Sequence, residues 1–117
     1  MATEGLALSA ACLLSLAAMV GCSEPVFYCQ EVGHKMGTGE PDPAVPRQCH
    51  LLEDACKREA PSCFERLEAH CFRTYGADRD TFYCAPTPPE CEKLRRPRDE
   101  AGLRVESCQL KRAKDAK

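Results

Sequence analysis

Apolar positions along this chain fall into two regimes. Residues 6 to 21 are nearly all apolar or small, from Leu6-Ala7-Leu8 to Ala17-Ala18-Met19-Val20-Gly21, with Ser9 and Ser15 the only polar side chains. The run is too short to cross a bilayer as a helix and lies at the N-terminus, so it predicts a signal-peptide core, with residues 1–21 as the leader. It lacks the usual basic start, since Glu4 is the one charge before Glu24. From residue 22 onward, apolar residues come singly or in pairs, at spacings that alternate between strand-like and helix-like.

Val26-Phe27-Tyr28-Cys29 reads as a strand, and residues 33 to 46, with three glycines and three prolines, read as a loop. Pro46 suits the first turn of a helix. From 47 to 59, Cys49, Leu52 and Cys56 fall at i, i+3 and i+7, one helical face, and Ala60-Pro61 ends the element. Ser62 and Glu65 then form a capping box that opens a second helix, over 63–74, with Cys63, Leu67 and Cys71 on one face and Phe64 and Phe72 beside it. Thr81-Phe82-Tyr83-Cys84 echoes the first strand. A second capping box, Thr87 with Glu90, has Pro88 at the first helical position and turns Cys91 and Leu94 inward, until Pro97 interrupts or kinks the helix. Leu103 to Leu110 alternates as a last strand, and Lys111 to Lys117 reads as a disordered tail. The expected fold is a small, disulfide-rich α+β domain over 22–117. Its centre is a helical hairpin, 47–59 and 63–74, with short strands and one further short helix.

Cysteine usage sharpens that picture. The chain has 10 cysteines, and Cys49, Cys56, Cys63 and Cys71 stand almost symmetrically about Ala60-Pro61. Two antiparallel helices would bond such cysteines rung above rung, giving Cys56–Cys63 and Cys49–Cys71. Cys29, Cys84, Cys91 and Cys108 leave three pairings open. Cys84–Cys108, across neighbouring strands, is favoured, leaving Cys29–Cys91. Leu, Val and Phe are scarce after residue 21, and the chain has no Trp, so unaided folding is not expected. Disulfides, each contributing ~2–4 kcal/mol, supply the difference and require an oxidising compartment. Phe-Tyr-Cys occurs twice and a six-residue cysteine spacing recurs, but two matches do not establish a duplication.

The leader ends in Met19-Val20-Gly21-Cys22, which resembles the lipobox of bacterial lipoproteins. The resemblance covers the leader alone, with Met19 where leucine is usual. It implies lipidation of Cys22 and a mature chain that starts there. Ser23 in second place implies sorting to the outer membrane. A cut after Ser23 would instead release a soluble protein, and both cuts leave eight cysteines.

Charge and motifs bound the chemistry. The net charge is −2, but residues 24–92 carry 7 basic and 13 acidic side chains, against 9 and 4 over 93–117. A solvated helix face and tail account for that asymmetry. No Cys-x-x-Cys, Gly-x-Ser-x-Gly or His-Glu-x-x-His occurs, which speaks against thiol, serine-hydrolase and zinc-protease chemistry. Cys49-His50 and His70-Cys71 offer zinc-type ligands, yet facing helices would send the two histidines to opposite sides. No metal and no cofactor is expected. Basic residues without interleaved aromatics give no nucleic-acid signature. The expected function is therefore non-enzymatic: a lipid-anchored binding module of the bacterial cell envelope, for an envelope protein or ligand not specified by sequence. The alternative is a secreted disulfide-stapled effector, inhibitor or toxin/immunity-type protein. Candidate binding elements are the loop from Gly33 to Pro46 and the basic helix with Lys93, Arg95, Arg96 and Arg98.

Overall fold

The structure is a computed structural model that describes residues 24–35, 37–76 and 80–116. The leader, including Cys22, lies outside them. In chain order the elements are β1 (Phe27–Gln30), β2 (Cys49–His50), α1 (Glu53–Glu59), β3 (Cys63–Arg66), β4 (Glu68–Tyr75), β5 (Asp80–Ala85), α2 (Pro88–Glu100), β6 (Arg104–Val105) and β7 (Gln109–Arg112), then a 3-10 turn at Ala113–Asp115. All strand pairings are antiparallel, in the order β3-β1-β2-β5-β4, and both β6 and β7 lie on the outer edge of β4. The sheet curls into a half-barrel.

The helical hairpin is not formed. Residues 49–50 are strand β2, the helix from the first half shrinks to Glu53–Glu59, and the second half is the β3–β4 pair of strands. Leu52 and Leu67, which the hairpin would bury, are 69% and 48% exposed. Tertiary pairing overrides a helical spacing here. Cys49 is held between Cys29 of β1 and Cys84 of β5. On β4, Ala69, Cys71, Phe72 and Thr74 are all buried, so both sides of the strand are covered and its polar alternation breaks at Cys71-Phe72.

The disulfides follow the sheet. Cys56–Cys63 is present, but joins α1 to β3 rather than two helices. The other expected pairs, Cys49–Cys71, Cys84–Cys108 and Cys29–Cys91, are replaced by Cys29–Cys49, Cys71–Cys84 and Cys91–Cys108. Antiparallel register explains two of these, because Cys29 lies directly opposite Cys49 and Cys71 directly opposite Cys84. Their Cα atoms stand 3.9 and 4.0 Å apart.

Pleating then sorts residues onto two faces. One face carries Phe27, Cys29, Cys49, Ala69, Cys71 and Cys84, completed by Phe64, Phe82, Ala113 and Ala116. The expected disordered tail is thus ordered through the 3-10 turn, with Ala113 and Ala116 buried. The other face carries both helices. Helix α2 packs Cys91 and Leu94 on Phe72, Ala85 and Tyr83, while Glu59 of α1 reaches Gln30 at 3.0 Å and His50 at 2.9 Å. Helix α2 starts as expected, with Pro88 after Thr87 and the Glu90 N–H donating to the Thr87 hydroxyl, but it runs through Pro97 to Glu100.

A bulge replaces the single last strand. Val105 opposes Thr74 and Gln109 opposes Cys71, so Glu106, Ser107 and Cys108 together span the two positions Phe72 and Arg73. One extra residue bends the strand. Cys108 sits in that bulge and reaches Cys91 on α2.

Candidate functional site

Loop 33–46 is built rather than slack. Lys35 N–H donates to the Glu40 carbonyl at 2.8 Å, Asp42 N–H to the Gly33 carbonyl at 2.8 Å, and Ala44 N–H to the Asp42 carboxylate at 2.9 Å. Gly33 is required by contact: a Cβ there would lie 2.0 Å from the Val45 carbonyl oxygen. Gly39 is required by conformation, with φ at +73°. At the end of β1, Glu31 N–H bonds the Ser62 carbonyl at 3.2 Å, which ties this loop to the Pro61–Ser62 turn.

Between loop and turn lies an open cleft of about 270 Å³, lined by Glu31, Val32, His34, Gly39, Pro41, Pro61 and Ser62. That volume lies just under the usual small-molecule range and suits one or two side chains of an extended chain. Val32, Pro41 and Pro61 give apolar walls; Glu31, His34 and Ser62 give polar ones. His34 Nδ1 is 2.9 Å from the Gly39 carbonyl oxygen. A carbonyl only accepts, so Nδ1 carries the proton in this contact. Ser62, expected as a helix cap, instead precedes β3. The loop half of the cleft was expected from its composition. Glu31, Val32, Pro61 and Ser62 were not, because the pairing of β1 with β3 brings them there.

The basic helix divides into engaged and free residues. Arg95 is held by Glu92 at 3.0 Å and Asp99 at 3.7 Å. Arg98 lies over the Tyr83 ring, 4.0 Å from its centroid, and donates to the Leu94 carbonyl. Lys93 and Arg96 are exposed, and among the described residues no hydrogen bond or ion pair holds either. The two candidate elements stay apart: no residue of α2 lines the cleft.

One half-buried ion pair fixes α2 against the chain entering β2. The Glu90 carboxylate accepts from Arg47 Nε at 2.8 Å, Arg47 Nη2 at 2.9 Å, the Arg47 N–H at 3.0 Å and the Thr87 hydroxyl at 2.7 Å. Burial pushes this carboxyl up, but the four donors outweigh burial and bring it from an ordinary 4.5 to about 2. The pair is structural: neither residue borders the cleft.

Among the described residues, no group of three or more His, Cys, Asp or Glu side chains is placed to hold a metal ion, and no helix is long and apolar enough to cross a membrane. His50 and His70 lie on different strands, opposite Tyr28 and Ala85. No family model, no curated protein and no solved structure matches the chain.

Proposed function

We propose that the protein is a non-enzymatic binding module of the bacterial cell envelope, held to the outer membrane by a lipid on Cys22. The cleft between loop 33–46 and the Pro61–Ser62 turn receives an extended segment of another envelope protein. The observation that carries this reading is the cleft's construction, with apolar walls flanked by polar groups and mounted on a frame of four disulfides. Such a frame suits an oxidising compartment. A cleft whose backbone is already ordered loses little entropy on binding.

Two experiments test it. Intact mass of the detergent-extracted protein should show a diacyl- or triacylglyceryl increment on a chain starting at Cys22. A lipid-free chain starting at Glu24 would remove the anchor and favour the secreted effector, for which the alternative cut after Ser23 speaks. Peptides selected by display against the full chain should lose about tenfold in affinity, roughly 1.4 kcal/mol, to Val32→Asp. Peptides indifferent to Val32→Asp and His34→Ala would place binding elsewhere.

A further inference from the structure

Four cysteines lie in one transverse row across β1, β2, β5 and β4. The register sets Cys29 opposite Cys49, Cys49 opposite Cys84, and Cys84 opposite Cys71, all within one buried cluster. Each disulfide of the row joins an outer cysteine to an inner one, Cys29 to Cys49 and Cys71 to Cys84. The two inner cysteines are themselves direct cross-strand partners. Opposed residues of antiparallel strands stand roughly 4.5–5.5 Å apart at Cα, inside the span of a disulfide. A third bond, Cys49–Cys84, therefore needs no strand to move.

We propose that this row is a thiol–disulfide exchange site, which takes a thiol as its reductant and passes the opening from one end of the row to the other. An external thiolate attacks Cys29 Sγ; the Cys29–Cys49 bond breaks and Cys49 leaves as a thiolate. Cys49 then attacks Cys84 Sγ, the Cys49–Cys84 bond forms, and Cys71 leaves with the electron pair and takes a proton. A second external thiol attacks the mixed disulfide on Cys29, leaving as the oxidised disulfide and freeing the Cys29 thiol. In sum, two external thiols become one disulfide, and the row becomes one inner bond with thiols at Cys29 and Cys71. Strands β2 and β5 become covalently tied by the new bond, while β1 and β4 are released from the cross-links at their edges.

The chemistry differs from a Cys-x-x-Cys site, where sequence spacing supplies the resolving thiol. Here the fold supplies it, from strands that are distant in the chain. All four sulfurs are buried, so attack requires local opening. Ala113 and Ala116, which help complete the cluster, belong to a three-residue turn and its cap, the sort of segment that opens at low cost. The proposal adds to the binding role and does not depend on it.

The test uses Cys29→Ser in the full chain, acid-quenched, alkylated without reduction and mapped by peptide mass. Exchange distributes the single label between Cys49 and Cys71, with Cys84 always bridged. Label confined to Cys49 overturns the proposal. Wild-type protein treated with limiting dithiothreitol gives a second reading that needs no variant to fold. Molecules that lost one bond of the row should include the species alkylated at Cys29 and Cys71 with Cys49–Cys84 linked. Finding only Cys29 with Cys49, or Cys71 with Cys84, overturns it equally.

Discussion

The two faces of the sheet are held by different means. Among the described residues no α-helix covers one face, and its interior sets two covalent rungs of cystine beside Phe27, Phe64 and Phe82. The other face is covered by α1 and α2, each stapled once, by Cys56–Cys63 and Cys91–Cys108. There the contacts are of the usual kind: Leu94 on a Phe72–Tyr83 stack with centroids 5.3 Å apart, and Arg98 over Tyr83. A chain poor in aliphatic residues thus divides its few large side chains between the faces, and under the helices it relies on Phe72, Tyr83 and Leu94. Where strand meets strand it uses sulfur, which needs only opposed positions and not a partner layer.

That contrast can be broken from either side. Reducing all four disulfides should have the largest effect, abolishing the fold, because four bonds at ~2–4 kcal/mol each match or exceed the whole stability of a small domain. Loss of near-ultraviolet circular dichroism on reduction checks this; retention of the signal would mean that the helix face alone suffices. Phe72→Ala attacks the helix face instead. A fully buried ring lost from under α2 should cost about 3–5 kcal/mol, read as a lowered denaturation midpoint with the disulfides intact.

Next comes Glu90→Gln, which weakens the tie between α2 and Arg47. Its folded carboxyl sits near 2 against an ordinary 4.5, so the stabilisation is present above about pH 4.5 and is lost as pH falls toward 2. The variant should be less stable by about 2 kcal/mol at neutral pH, after allowance for partial solvent screening, and indistinguishable from wild type near pH 2. A gap that persists to pH 2 would assign the effect to packing. Arg98→Ala should have the smallest effect. Removing a half-exposed cation from the Tyr83 ring should cost about 0.5–1 kcal/mol, and the same denaturation assay would show it.

How much of this was legible in the sequence depends on the range of the forces involved. The start of α2 was, because Thr87, Pro88 and Glu90 act within one turn. So were the Phe-Tyr-Cys strands β1 and β5, and the Cys56–Cys63 bond, whose partners are 7 residues apart. The two capping boxes look alike, yet Ser62 and Glu65 open a strand. Pro88 at the first helical position favours the second locally, whereas β3 is fixed by pairing with β1, more than thirty residues earlier. Cys49, Leu52 and Cys56 matched a helical face by spacing, although Cys49 belongs to a two-residue strand whose place is set by neighbours on both sides. The doubled Phe-Tyr-Cys was the one available clue to the row. Both copies put Phe and Cys on the cystine face, and both flank β2. The cleft was half visible, because composition marks a loop but not the turn it will meet.

The disulfide map of the native protein tests the fold most directly. Proteolysis at acid pH, without reductant, followed by mass analysis of linked peptides should return Cys29–Cys49, Cys56–Cys63, Cys71–Cys84 and Cys91–Cys108. Those links require the cystine row and the helix-stapled face together. A Cys49–Cys71 link, which only a helical hairpin could make, would contradict the sheet and everything built on it.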